Sequence, residues 1–308
     1  MISFKSSSIH TFSGDNNPGI LKKLFWLIIN LIRNNFFSLN KDLSLKLLYQ
    51  NTPDISANLK KIDKTFSPSR KLADLYWLSL PTNEIIKTLG KVKVLDIGCG
   101  NGIYYYLLKN IFGENLESYT GFDKKLRIPY ELKNEKNVEF IEDDVKNLSK
   151  LTNNYNFIIS NSFIEHIDED LKMFEDLKII EKNNNPTLQL HIFPARACLF
   201  TYLAHGIRQY SVESVSKISK IFNDDKTKKF LIGLGSKNIS SLHFKEFTIK
   251  RIFRVKDLMQ KNNYDLYLKK FQDSYKKDLL LDKKDKIYNA NFYALILQTN
   301  FTKDLDYN

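Results

Sequence analysis

Apolar residues recur along the chain in three different rhythms. Leu21, Leu24, Phe25, Ile28, Leu31 and Ile32 follow one another at the three- and four-residue steps of an amphipathic helix. Further on, SPSRKLADLYWLSL begins with Ser67 and Pro68, a Ser cap and a Pro in the first turn, and continues as a second periodic run. Residues 1–90 therefore read as a helical N-terminal cap. From 91 to 193 short apolar runs alternate with helical stretches. KVKVLDIG, ESYTGFD, NVEFIEDD, YNFIISNS and TLQLHIFP have the length, β-branched content and flanking turn residues of strands. Strand alternating with helix predicts an α/β core with a parallel sheet covered on both faces. Residues 194–290 are Lys-rich and read as a helical insertion or lid. NFYALILQT, Asn291 to Thr299, then reads as one more strand, which returns residues 291–308 to the core.

Composition narrows the setting. A chain of 308 residues, 43% of them hydrophobic, can bury a full core. Lysines and asparagines interrupt the apolar run from Ile20 to Phe37, which falls short of the roughly 20 residues a membrane span needs, so no transmembrane segment is expected. The polar stretch MISFKSSSIHTFSGDNNPG before it, with no small-residue cleavage site after the apolar part, does not read as a secretory signal. The two cysteines, Cys99 and Cys198, cannot build a disulfide framework, and no Cys and His cluster has metal-ligand spacing. A cytoplasmic, reducing compartment and no metal are the expectations.

The stretch VKVLDIGCGNGIYYYLLKN, Val92 to Asn110, carries the chemistry. A buried strand that ends in a Gly-rich turn and feeds a helix sets unpaired backbone N–H groups beside a crevice at the carboxyl edge of the sheet, which is a nucleotide-type site. Dinucleotide binding requires G-x-G-x-x-G, but here the glycines are Gly98, Gly100 and Gly102, with Ile103 where the third would stand. The pattern D-x-G-x-G-x-G, carried by Asp96, Gly98, Gly100 and Gly102, resembles the first motif of the class I S-adenosylmethionine-dependent methyltransferases. Asp123 in GFDKK ends the second strand, where an acid accepts hydrogen bonds from both ribose hydroxyls. EFIEDDVKNL resembles the stretch that holds adenine, which matches Asp144 and Val145 to that role. Asp143 stands where a glycine is common, so the doublet leaves a one-residue ambiguity. SNSFIEHIDE, Ser160 to Glu169, resembles the Glu-His segment of small-molecule members of the family. The resemblance covers Lys91 to Phe193, and NFYALILQT resembles the antiparallel seventh strand.

The resemblance implies a Rossmann-like, mostly parallel seven-stranded sheet, S-adenosylmethionine as cofactor, and a cofactor site formed by Asp96, Gly98, Gly100, Gly102, Asp123, Asp144, Val145 and Asn161. Methyl transfer asks little of the protein beyond alignment, exclusion of water and, for a protonated acceptor, a base. His166, near the carboxyl end of the fourth strand, is the candidate base, with a cap or core role as the alternative reading. Glu165 is placed to orient it or to bind substrate. Tyr104, Tyr105 and Tyr106 open the next helix either as core or as a pocket wall, and Cys99 reads as a small buried filler.

Charge bears on the acceptor. The net charge is +12, and it divides as +6 for residues 1–90, −4 for 91–193 and +10 for 194–308. Basic covers around an acidic core raise the alternative of a nucleic-acid, specifically RNA, methyltransferase. Three features weigh against nucleic acid: the fourth-strand motif lacks an Asn/Asp-Pro-Pro-aromatic turn, no RNA-binding module is attached, and only 7 of the 47 basic residues are Arg. A small molecule, lipid precursor or sugar is the favoured acceptor. A regulatory protein that binds the cofactor without turnover is a third reading. FPARACLFTYLAHGIRQYS, Phe193 to Ser211, leaves the sheet at the carboxyl end of a strand with Arg196, His205 and Arg208 among aromatics. If it binds the acceptor, Arg196 and Arg208 predict an anionic one; otherwise the segment is an amphipathic lid.

Overall fold

The computed structural model describes residues 19–35, 41–52, 55–62, 66–152, 154–181, 185–203, 205–252 and 263–307. The polar leader of the sequence, up to Pro18, lies outside the described residues. Among the described residues eight strands form one sheet. They are β1 (Leu45–Tyr49), β2 (Val92–Ile97), β3 (Leu116–Asp123), β4 (Val138–Glu142), β5 (Phe157–Asn161), β6 (Thr187–Pro194), β7 (Thr227–Leu234) and β8 (Phe292–Thr299). Their order is β1-β7-β8-β6-β5-β2-β3-β4. Neighbours run parallel except β8, which is antiparallel to both β6 and β7. The Rossmann-like, mostly parallel expectation holds, with β8 as the antiparallel strand.

The sequence-based count of strands needs correction, because the sheet has eight strands and not seven. The eighth, β1, lies inside the segment read as a helical cap, and β7 lies inside the segment read as a helical insertion. A buried ion pair stitches this edge together. Lys229 on β7 donates to Asp42, just before β1, at 2.8 Å, with the two side chains only 3% and 8% exposed. Burial acts to raise the Asp42 carboxyl, but hydrogen bonds from Lys229, Ser44 and Ser219 outweigh it and hold the group well below the usual carboxylate range.

Core residues lie on both faces of the sheet, and β5, β6 and β8 are buried along their whole length. That is why β5 and β8 read mainly as apolar runs, whereas β6 keeps Gln189 and His191 inside, both 0% exposed and hydrogen-bonded to each other. The helix Pro68–Trp77 starts as its sequence predicts, with the Ser67 side chain accepting from the Arg70 N–H and Pro68 in the first turn. The helix Ile20–Asn35 docks differently from its pattern. Trp26 is 1% exposed and its indole N–H donates to the Gly206 carbonyl at 3.0 Å, while Asn30 and Arg33 donate to the Ile207 carbonyl. Of the predicted packing stripe, Leu21, Leu24, Phe25, Ile28 and Ile32 are exposed, and only Leu31 packs, with Leu27, against Trp26 and Leu199. The helix is held by this small apolar contact and by polar groups that satisfy loop carbonyls, which hydrophobic periodicity does not reveal. No described helix is long and apolar enough to cross a membrane.

The order of strands reverses between β5 and β2, with β3 and β4 on one side and β6 on the other. In an open α/β sheet the crevice outside the carboxyl ends at such a switch point is where ligands bind. Two segments leave the sheet there: the Gly-rich turn after β2 and SFIEH after β5.

Candidate active site

The turn after β2 is held in a conformation that side chains disfavour. Gly98, Gly100 and Gly102 have φ of +76°, +57° and +72°. Each is bare for a different reason. A Cβ on Gly98 would lie 2.1 Å from the Phe163 ring, and one on Gly102 would lie 2.7 Å from Leu132. A Cβ on Gly100 would meet nothing within 4 Å. Two of the glycines thus admit neighbouring side chains of the fold, and Gly100 is the one whose missing side chain faces open space.

Asp96 lies beneath this turn, 1% exposed, and its carboxylate accepts from the Tyr119 hydroxyl. Burial pushes the carboxyl up to about 7, with Tyr119 pulling it down and the Asp123 charge adding to the rise. Below the ordinary value of 3.8 the acid is neutral in folded and unfolded chains alike. As pH rises through about 7 the folded chain must ionise it in the interior, so the stability it contributes at low pH is lost. Asp96→Asn keeps an acceptor for Tyr119 and removes the charge. Its melting temperature should rise above that of the parent by several degrees as pH goes from about 4 to about 8. A difference that does not change with pH would show that Asp96 ionises as an ordinary acid.

Asp123 ends β3 beside the turn. Its Oδ2 accepts from the Gly100 N–H at 2.8 Å and its Oδ1 from the Lys125 N–H at 3.1 Å. The two acids after β4 separate clearly. Asp143 is turned into its own loop and accepts from the Asp144 N–H and the Asn147 amide, both at 2.7 Å. Asp144 and Val145 face a crevice of about 250 Å³ that Asp123, Phe163 and His166 also line. Asp144 pairs with Lys124 at 2.9 Å, which together with the Lys146 N–H holds its carboxyl below the ordinary value. Of the two acids, Asp144 lines the crevice and Asp143 does not.

Tyr104 and Tyr105 are buried core residues, and Tyr106 is exposed. The Tyr104 hydroxyl donates to Asp74 at 3.2 Å and accepts from the amide of Asn161, at the end of β5. Asn161 is 8% exposed, and its Oδ1 has no hydrogen-bond partner. Cys99 is 5% exposed, and burial pushes its thiol well above the ordinary value, as suits a filler.

SFIEH continues into a short 3-10 turn, Ile164–His166. His166 lines the crevice, whereas Glu165 points inward and is 0% exposed. Arg208 differs from its expectation as an acceptor ligand. Its guanidinium is committed to Asp170 at 2.6 Å and to the Asp168 carbonyl at 2.7 Å, so its planar fork is already occupied. Arg196 is exposed and lies outside the lining of the crevice. Neither arginine is placed as the anion clamp that the sequence suggested.

The residue that sequence reasoning did not assign is His205. Its Nε2 lies 3.6 Å from Glu165 Oε1, and its ring packs edge-on against His166 with centroids 4.7 Å apart. Gly206, with φ +68°, makes the approach possible, since a Cβ there would lie 2.8 Å from the Glu165 carbonyl oxygen. A histidine followed by glycine in the segment leaving β6 was the available signal.

A family model described as a methyltransferase domain matches residues 44–185. No curated protein matches the chain. Among solved structures, the plantazolicin methyltransferase BpumL in complex with SAH is 17% identical over 80% of this chain and 89% of that one, with a TM-score of 0.43. A SAM-dependent methyltransferase from Archaeoglobus fulgidus is 15% identical over 79% and 100%, with a TM-score of 0.44. CrArsM, an arsenic(III) S-adenosylmethionine methyltransferase from Chlamydomonas reinhardtii, is 13% identical over 69% and 64%, with a TM-score of 0.37. The match to a methyltransferase domain takes in β1 to β5, and with them the D-x-G-x-G-x-G turn and the switch point between β2 and β5.

Proposed function

We propose that the chain transfers the methyl group of S-adenosylmethionine to a small-molecule acceptor, a lipid precursor or a sugar included, seated against the His166 side of the crevice. The observation that carries this reading is the bond from the Gly100 N–H to Asp123, which ties the open face of the turn to the acid on the crevice wall. Bound there, S-adenosylmethionine supplies a methyl group already activated on a sulfonium. Asp123 accepts the ribose hydroxyls, Val145 packs against adenine, and Asp144 accepts from its amino group. Gly100 lets the methionine part lie against backbone. Gly98, Gly102 and Asp96 act one layer out, by fixing the turn. The imidazole of His166, which lines this crevice beside the buried carboxylate of Glu165, is our candidate to take a proton from the acceptor.

Two measurements test this. Calorimetry should show saturable binding of S-adenosylmethionine and of S-adenosylhomocysteine, and an acceptor screen should release S-adenosylhomocysteine with small hydroxylated compounds. Preferential binding of NAD would remove the reading. Strongly salt-dependent binding of RNA, with turnover on it, would replace the small acceptor by the RNA alternative.

A further inference from the structure

We propose that Glu165, His166 and His205 bind a divalent transition-metal ion of the zinc, cobalt or manganese kind at the wall of the crevice. Glu165 is 0% exposed, and neither carboxylate oxygen has a hydrogen-bond partner. A buried carboxylate in that state is costly unless a cation faces it. Two imidazole nitrogens do face it: His166 Nε2 at 3.8 Å and His205 Nε2 at 3.6 Å from the same oxygen, Oε1. The three ligand atoms all lie within 4.8 Å of one another.

The distances separate two ways of balancing the charge. A protonated imidazole bonded directly to a carboxylate closes to about 2.7–2.9 Å. Two ligands at about 2.1 Å from one tetrahedral ion stand about 3.4 Å apart, because the ion sits between them. The gaps of 3.8 and 3.6 Å at Glu165 Oε1 lie nearer the second separation than the first. Two imidazoles and one carboxylate are also the donor set that suits zinc and its transition-metal neighbours better than calcium or magnesium, which prefer all-oxygen sites.

The fold holds the three groups together across a long stretch of chain. The Ile207 N–H donates to the Glu165 carbonyl at 2.7 Å, and Trp26 of the first helix fixes the Gly206 carbonyl at 3.0 Å. The glycine at 206 admits the close contact described above. Such a site is set before any ion arrives, which limits the ordering that binding requires. Glu165 closes the inner side, while the side chains of His166 and His205 are 28% and 39% exposed, and His166 lines the crevice. Three protein ligands leave positions for oxygen ligands from solvent or acceptor. Resting on the methyltransferase reading, those positions select acceptors with a hydroxyl or paired hydroxyls, whose acidity an ion raises. With an ion bound His166 serves as a ligand; the role of base proposed above belongs to the ion-free chain.

The test uses the full chain, stripped with a chelator, dialysed and titrated with zinc chloride in a calorimeter. A parallel titration with cobalt chloride is followed by visible absorption. One equivalent should bind, with cobalt bands of a mixed nitrogen and oxygen set. His205→Ala, at a partly exposed position, and Glu165→Gln should each weaken zinc at least tenfold, by analogy with the 10- to 100-fold losses that even outer-shell changes cause. Absence of saturable zinc or cobalt binding by the parent would overturn the proposal, as would unchanged affinity in a folded His205→Ala variant. S-adenosylhomocysteine binding by the same samples is a separate readout: its absence from the parent would remove the methyltransferase reading and leave the metal site standing.

Discussion

Asp123→Ala should weaken S-adenosylmethionine binding by about ten- to a hundredfold, a loss of roughly 1.5–3 kcal/mol for a charged acceptor taken from bound hydroxyls. The carboxylate is suited to two hydroxyls because its existing bonds are divided between its oxygens. Oδ2 holds the Gly100 N–H and Oδ1 holds the Lys125 N–H, so each oxygen keeps a free lone pair on the crevice side. Removing it leaves both ribose hydroxyls and the Gly100 N–H without their acceptor. Asp144→Ala should cost less, because the charge of Asp144 is already matched by Lys124 at 2.9 Å and by the Lys146 N–H. Titration calorimetry of the two variants beside the parent reads this ordering. Parent-like affinity in folded Asp123→Ala would withdraw the ribose assignment, and a larger loss at Asp144 would move the anchor to the adenine side.

The elements that the sequence predicted well are those buried on both faces. β5 and β8 are buried from end to end and apolar over most of their length, so their runs need no periodicity to be recognised. β1 and β7 escaped for opposite reasons. LKLLY is short and exposed on part of one face, and although Leu43, Leu45 and Leu47 alternate it stands among helical patterns; it becomes a strand by pairing in parallel with β7. TKKFLIGL hides behind its lysines, and Lys229 is tolerated inside the sheet only because Asp42 reaches it from the far end of the chain. No local pattern reports a partner so distant in sequence.

The site divides in the same way. Gly98, Gly100, Gly102, Asp123 and Asp144 are legible because one strand, one turn and the next strand end fix their positions relative to each other, and the order of motifs is the geometry. Glu165 and His166 are adjacent in sequence, yet one faces the interior and the other the crevice, a division made by the 3-10 turn they occupy. His205 joins them through backbone contacts at Gly206 and Ile207. These depend on how the segment after β6 folds back, and residue type alone did not predict it. Arg208 illustrates the reverse: an arginine in the right segment whose fork is taken by an acid, Asp170, that sequence spacing did not pair with it.

Gly100→Val should abolish measurable S-adenosylmethionine binding while the chain stays folded. The two halves of this expectation rest on different facts. Gly100 sits at φ +57°, so a β-branched residue there is strained by roughly 1–2 kcal/mol, a loss a folded chain of this size can bear. Nothing in the protein lies within 4 Å of the added Cβ, so the isopropyl group displaces no core. It stands in the open space above the turn, where the proposed reading puts the methionine part of the cofactor. Gly98 makes the contrasting case. A Cβ there strikes the Phe163 ring at 2.1 Å, and even Ala should disturb packing before it affects any ligand. Calorimetry for the cofactor and a thermal melt for the fold, made on Gly100→Ala, Gly100→Val and Gly98→Ala, separate steric exclusion from damage to the turn. Gly100→Ala should keep weakened binding, Gly100→Val none, and Gly98→Ala should show the larger fall in melting temperature. Near-parent affinity in Gly100→Val would mean that the open face of the turn is not where the cofactor lies.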